Sequence, residues 1–242
     1  MKKVKGIILA GGTGSRLYPI TKVTNKHLLP VGRKPMIYYP LEQLLEAGIN
    51  DILVVTGREH MGDVVNLLGS GNEFNCELTY RVQDQAGGIA EALGLAQSFV
   101  GSSLLVVILG DNIFEHSIRP SVSRFIEQNQ GARVLLKEVD DPSRFGVAEI
   151  AKNKIVHITE KPKDPKSSYA VTGVYMYDPT VFDFIKSLKP SDRGELEITD
   201  VNNFYAVNQK LEFDVVDGWW TDAGTFESLS HANQLLSNEG EK

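Results

Sequence analysis

The 242-residue chain is expected to fold as an α/β protein with a doubly wound, mostly parallel mixed sheet and a strand-rich second half. Two observations lead there. In the first half, short apolar runs rich in β-branched residues alternate with segments of helical spacing, the βαβα order that builds a parallel sheet covered on both faces. In the second half, strand patterns follow one another with few helices between them.

The elements follow in order. Lys5–Ala10 reads as a buried strand ending at the turn Gly11-Gly12-Thr13-Gly14-Ser15-Arg16. Tyr39–Gly48 reads as a helix with glycine at its close. Asp51–Thr56 is a second strand, Met61–Leu68 a helix closed by Gly69, Glu77–Val82 a third strand and Gly88–Val100 a helix. Leu104–Leu109 is wholly apolar, as a strand buried on both faces must be. Strands are then expected at Ala132–Val139, Gly146–Ala151, Lys154–Glu160 and Tyr169–Tyr177, and helices at Thr180–Leu188, Thr199–Asn208 and Thr225–Leu236. Lys161–Lys166 is a loop rich in Pro and Lys, and residues from Ser237 to Lys242 should fray. No internal repeat or low-complexity linker interrupts the chain, so residues 1–242 are expected to form one domain, with 1–112 and 113–242 as its halves.

Bulk properties narrow the function. Net charge is −6, which argues against a nucleic-acid surface. Yet eight of the 25 basic residues and none of the 31 acidic ones lie within residues 1–41, a local field suited to a small polyanion or to a solvated basic face. The single cysteine, Cys76, excludes an internal disulfide and a cysteine-rich zinc site. The start, basic and then apolar, has the look of a signal peptide, but its short apolar run ends in the glycine turn and reads as a first strand. No segment is long and apolar enough to span a bilayer, so a cytoplasmic protein with no membrane or nucleic-acid partner is expected. His27, His60, His116, His157 and His231 show no metal-ligand spacing, and no Gly-x-Ser-x-Gly elbow occurs.

The glycine turn is the first chemical signal. Glycines let backbone N–H groups approach phosphate oxygens, and Arg16 adds a forked cation matched to phosphate. The dinucleotide fingerprint would need glycine where Leu17 stands, and the P-loop would need Gly-Lys-Ser/Thr. What remains is a phosphate cradle or a plain strand-to-helix turn. In a doubly wound sheet, ligands gather beyond the carboxyl ends of the strands. Gly11–Arg16, Gln83–Gly88 and Gly110-Asp111 each follow a strand and should line one crevice. Asp111 is a charge at the end of an apolar strand, where packing gives it little reason to be.

The extended pattern is more specific: Leu9-Ala10-Gly11-Gly12-x-Gly14-x-Arg16-Leu17-x-Pro19-x-Thr21, then Lys26-x-Leu28-Leu29-Pro30. It resembles the sugar-nucleotide pyrophosphorylase (nucleotidyltransferase) family. Lys34–Pro40, Leu109–Asn112, Glu160-Lys161-Pro162, Tyr169–Tyr175 and Arg193–Asn202 extend the resemblance over nearly the whole chain, toward that family's glucose-1-phosphate thymidylyltransferases.

The resemblance implies a nucleotide-diphospho-sugar transferase type of fold, with residues 1–112 binding nucleotide and 113–242 binding sugar. It implies Mg²⁺-dependent transfer of a nucleotidyl group from dTTP, or UTP in a close relative, onto glucose 1-phosphate. Pyrophosphate would leave, and the product would feed cell-surface polysaccharide precursors such as dTDP-rhamnose. Leu9, Gly11, Gly12, Thr13, Gly14, Ser15, Arg16, Lys26, Gln83 and Gly88 would bind the nucleotide. Asn112, Gly146, Glu160, Lys161 and Val171 would bind the sugar. Asp111 and Asp222 would ligate the metal, although Asp222 could instead cap the helix starting near Thr225. Arg16, Lys26, Asp111, Lys161 and Asp222 would form the catalytic set, and their joint presence argues against a silent sugar-nucleotide-binding regulator. Two positions depart from the pattern. Gly87 stands where many thymidylyltransferases carry Asp, and Phe145 where many carry Tyr. Thr199 or Asp200 could cap the following helix. A homo-oligomer is also implied. Many relatives continue past the helix ending near Leu236, so altered feedback by an end-product nucleotide sugar is expected.

Overall fold

A computed structural model describes residues 3–239. Strand β1 (Val4–Ala10) leads to the glycine turn, then to a hairpin of β2 (Pro30–Val31) and β3 (Lys34–Pro35), and to helix α1 (Tyr38–Glu46). Alternation continues through β4 (Asp51–Gly57), α2 (Met61–Leu68), β5 (Glu77–Gln83), α3 (Ile89–Gly94), α4 (Gln97–Val100) and β6 (Leu104–Leu109). The second half comprises β7 (Asn112–Phe114), α5 (Arg119–Gln128), β8 (Ala132–Glu138), β9 (Gly146–Ala151), β10 (Lys154–Glu160), β11 (Tyr169–Tyr177), α6 (Val181–Ile185), α7 (Ile198–Val207), β12 (Leu211–Val215), β13 (Trp220–Asp222) and α8 (Phe226–Glu239).

Among the described residues, one nine-stranded sheet runs through both halves. β1 lies between β4 and β6, with β5 beyond β4, all parallel. Alternate residues of these strands feed opposite cores, because successive side chains of a strand point to opposite faces. Ile7, Leu53 and Val107 go to one core, and Ile8, Val54 and Val106 to the other. The mostly parallel, doubly wound architecture is therefore as expected.

The sheet forks at β11, which is antiparallel to three neighbours. Along one edge it pairs with β8. Along the other, Ala170 pairs with β9 and Val174–Tyr177 pair with β6. Val171, Thr172 and Gly173 lie in the gap where β9 and β6 part, and all three line a cavity. A smaller core of Leu17, Leu29, Val31, Met36, Ile113, Ala223 and Ala232 ties the glycine-turn segment to β13 and α8.

Two expectations need correction, and two further elements carry only a weak sequence signal. The helix foreseen over Gly88–Val100 is two short ones, because Gly94, a poor helix former, is followed by a turn at Leu95 and Ala96. Helix α5 escaped notice because only Val122, Phe125 and Ile126 give its polar sequence an apolar stripe. Strand β12 also escaped; it is a five-residue strand parallel to β8. The last helix runs to Glu239, past the point where fraying was expected, and residues 240–242 lie outside the described residues. Among the described residues, no helix is long and apolar enough to cross a membrane.

Candidate active site

The side expected to hold the nucleotide combines a glycine-rich turn with side chains from other segments. After β1 the chain opens into an exposed turn with left-handed backbone at Gly12 (φ 91°) and Gly14 (φ 62°), a conformation that L side chains rarely adopt. Leu17 then plunges into the small core, which anchors the turn and leaves neighbouring Arg16 in the cleft. That cleft, about 300 Å³, is lined by Leu9, Gly11, Gly12, Arg16, Lys26, Gln83, Gly88 and Asp111. The three segments expected to meet beyond the strand ends do meet. Thr13 lines an adjoining hollow with Lys26 and Gln83. Gly14 and Ser15 line neither space; Gly14 O accepts a hydrogen bond from Thr21 Oγ1 at 2.8 Å.

Glycine at 88 has a packing reason. A Cβ there would lie 2.5 Å from Leu196 O, because this segment is stitched to the 193–197 loop through Leu196 N to Gly87 O (2.7 Å) and Ala90 N to Leu196 O (3.1 Å).

The side expected to hold the sugar draws on side chains from distant segments. The cavity at the sheet fork gathers Asn112, Gly146, Glu160, Lys161 and Val171, all five expected residues, with Thr172, Arg193, Thr199 and Trp220. Glu160 Oε2 accepts from Thr199 Oγ1 at 2.6 Å, and Glu160 Oε1 lies 3.5 Å from Lys161 Nζ. Lys161 has left-handed backbone (φ 43°), and its N–H donates to Phe145 O at 2.9 Å. Asn112 serves as a joint: its Oδ1 accepts from Gly173 N (2.9 Å) and Trp220 Nε1 (2.7 Å), while its Nδ2 donates to Asp111 Oδ1 (3.1 Å). The ring of Phe145 packs on Trp220, with centroids 5.1 Å apart.

The two spaces meet at Arg16 and Asp111, which line both. Asp111 Oδ2 pairs with Lys26 Nζ at 2.5 Å, and both side chains are nearly buried. Burial opposes ionisation of Asp111, but the adjacent Lys26 outweighs it and holds the carboxyl well below the usual range. Asp222 faces Asn112 across the β7–β13 pair. A Cβ on Gly224 would lie 3.1 Å from Arg16 Nη2, 3.2 Å from Asp111 Oδ2 and 3.6 Å from Asp222 Oδ2, so these groups converge on one point. Burial, and then the charge of Asp111, push the Asp222 carboxyl upward. Among the described residues, no group of three or more His, Cys, Asp or Glu could hold a metal ion. Two converging carboxylates nevertheless match Mg²⁺, which commonly takes one or two carboxylates and completes its shell with substrate phosphates and water. The alternative role for Asp222 falls away: it lies in β13, while Thr225 and Ser228 cap the start of α8, Thr225 Oγ1 accepting from Ser228 N at 3.2 Å. Thr199 is likewise engaged with Glu160 rather than with its own helix end.

Several residues at the site went unread. Arg144 Nη2 lies 3.5 Å from Asp222 Oδ1. Arg193 reaches Glu197 (2.9 Å), Glu195 (3.0 Å) and Glu160 (3.8 Å). Glu91 Oε2 accepts from Gln83 Nε2 at 2.5 Å. His27 is buried, and burial followed by the charge of Lys26 pushes its pKa down to about 3. Its neutral ring donates from Nδ1 to Asn25 Oδ1 at 2.7 Å and braces the turn that carries Lys26. Charges set beside site residues at short sequence distance were the available signal: Arg144 before Phe145-Gly146, and Glu91 three after Gly88.

The family model for nucleotidyl transferases matches residues 5–239. The chain belongs to that family. Glucose-1-phosphate thymidylyltransferase of Neisseria meningitidis is 47% identical over 237 residues, spanning 96% of this chain and 82% of that one. A crystal structure of a Bacillus anthracis protein provisionally named glucose-1-phosphate thymidylyltransferase, in complex with a sucrose, is 66% identical with a TM-score of 0.93, covering 96% of this chain and 94% of the other. UDP-glucose pyrophosphorylase complexed with UDP-glucose is 27% identical with a TM-score of 0.84, covering 99% and 100%. This nucleotidyltransferase is therefore an enzyme, and its fold is shared with a relative of quite different sequence.

Proposed function

We propose that this nucleotidyltransferase transfers a thymidylyl group from dTTP to glucose 1-phosphate, giving dTDP-glucose and pyrophosphate, with Mg²⁺ as cofactor. One observation carries the reading: the cleft behind the glycine turn and the cavity at the sheet fork share Asp111 and Arg16. Such a junction suits the joining of two phosphates, one held on each side.

The sugar phosphate oxygen attacks the α-phosphorus in line, the bond from that phosphorus to the bridging oxygen breaks, and pyrophosphate leaves with the electron pair. No side chain need act as nucleophile. The enzyme's task is to align two polyanions and offset their repulsion. The glycine turn and Arg16 take the pyrophosphate portion. Lys26 steadies the α-phosphate; its ammonium carries three donors, so it can keep Asp111 while reaching a phosphate oxygen. Lys161, half exposed on its loop, takes the sugar phosphate. Glu160, held by Thr199, accepts hydrogen bonds from sugar hydroxyls, with Gly146 and Val171 leaving room beside it. Asp111 and Asp222 would hold Mg²⁺, which supplies positive charge between the two phosphates when bound. Gln83 and Gly88 read the base. On this reading residues 1–112 serve the nucleotide and 113–242 the sugar.

UTP is the second donor to weigh, because uracil and thymine share the same imide edge and the fold is shared with UDP-glucose pyrophosphorylase. Pyrophosphate release with Mg²⁺, crossing dTTP, UTP, CTP, ATP and GTP with several sugar 1-phosphates, tests both. The highest kcat/KM is expected for dTTP with glucose 1-phosphate. An equal or higher value for UTP would overturn the choice of donor, and no release from any pair would overturn the reaction.

A further inference from the structure

We infer that Glu91 is a positioning residue for base choice: it fixes which end of the Gln83 amide faces the nucleotide. The inference rests on the base-reading role proposed for Gln83. Glu91 stands in the first turn of α3, and its Oε2 accepts from Gln83 Nε2 at 2.5 Å and from Gly87 N at 3.0 Å. The same Gln83 Nε2 donates to Gly88 O at 3.3 Å, so both amide hydrogens are taken by protein acceptors. An ionised carboxylate only accepts. A flipped Gln83 would set oxygen against oxygen, so the pair admits a single orientation.

What remains for the ligand is Gln83 Oε1. Gln83 is nearly buried, and this oxygen points to Gly11, where a Cβ would lie only 2.7 Å away. The lack of a side chain at Gly11 leaves the oxygen open to the cleft that both residues line. The cleft therefore presents an acceptor with no partnering donor from the same side chain. Thymine and uracil carry N3–H and satisfy it. Cytosine seated in the same position presents a lone pair at N3 and meets it with repulsion, and can offer its amino group only by shifting from that position. A site built around one such hydrogen bond discriminates strongly, because the wrong base leaves a buried polar atom unpaired.

Gly87 belongs to the same device. A Cβ on Gly87 would lie 2.5 Å from Glu91 Oε2 and 2.7 Å from Cδ. The carboxylate occupies the space a side chain at 87 would need, so a carboxylate arriving from one helical turn later does the orienting.

The test compares E91M with E91Q in steady-state kinetics with dTTP and CTP at saturating glucose 1-phosphate. Both replacements match glutamate in length and suit a helix. E91Q still offers an oxygen to Gln83 and should keep the ratio of kcat/KM for dTTP over CTP within about threefold of the native value. E91M offers none; the ratio should fall about tenfold or more, mainly through a higher KM for dTTP with kcat little changed. Equal ratios for the two variants would overturn the inference, as would a loss confined to kcat and common to both nucleotides. Q83M separates the layers. If Q83M changes nucleotide preference and E91M does not, only the role of Glu91 fails; if Q83M leaves preference unchanged, the base-reading role of Gln83 fails with it.

Discussion

The two spaces of the candidate active site are built around different features, a glycine turn and a fork in the sheet. The cleft proposed for the nucleotide centres on two glycine-bearing turns beyond parallel strands, Gly11, Gly12 and Arg16 in one and Gln83 and Gly88 in the other, with Lys26, Asp111 and Glu195 beside them. The cavity proposed for the sugar draws on Asn112 and on segments near residues 144–146, 160–161, 171–175, 193–202 and 220–222, brought together by the fork in the sheet. A backbone cradle suits an oxygen-rich polyphosphate, which needs many N–H groups and little shape. A sugar needs directed hydrogen bonds, which side chains held by other side chains supply, as Glu160 held by Thr199 does. Asp111 and Arg16 belong to both sides.

The largest effect should come from that shared point. D111N keeps the shape of Asp111 but removes its charge, and with it the group proposed to couple the two substrates. Turnover should fall by about two to three orders of magnitude. The KM values for dTTP and glucose 1-phosphate should move far less, and the circular dichroism spectrum should stay native. A loss confined to the KM of one substrate would place Asp111 on one side only and break the comparison.

Lys26 and Asp111 also form a nearly buried ion pair. Removing one partner of such a pair is costlier than removing both, because the survivor is left desolvated and uncompensated. K26M should therefore lower stability by about 3 kcal/mol in urea unfolding. The double variant K26M/D111N should recover at least half of that loss while remaining inactive. Strictly additive losses would mean that solvent, not Asp111, neutralises Lys26.

How much of this was legible in the sequence follows the same divide. The meeting of the cleft segments was readable because their signals are local: a glycine turn after an apolar run, and a charged residue closing another. The strands over Leu104–Leu109, Gly146–Ala151, Lys154–Glu160 and Tyr169–Tyr177 were readable to the residue, since alternation or unbroken apolarity marks them. The partnerships of the sugar side were not. Thr199 meets Glu160 across 39 residues, and Arg144 meets Asp222 across a longer span, so no spacing rule links them. The fork itself depends on β11 exchanging one neighbour for another along a single edge, which is a property of pairing and not of composition. Even the capping alternative for Asp222 was settled by register, which puts Asp222 opposite Asn112.

The smallest effect should isolate the sugar side. Thr199 touches Glu160 through one hydroxyl, and valine preserves the branched shape while deleting it. Glu160 then loses an acceptor bond of 2.6 Å and keeps its looser contacts with Lys161 and Arg193. Glu160 is partly exposed, so water can replace much of what is lost. T199V should raise the KM for glucose 1-phosphate by about three- to tenfold, with kcat within about twofold and the KM for dTTP unchanged. The prediction is sharp because the nucleotide side offers a control: Thr199 does not line that cleft. A matching rise in the KM for dTTP would mean that the hydrogen bond holds the whole 193–197 loop against Gly87 and Ala90 and not Glu160 alone, and the two halves of the site would then be one mechanical unit.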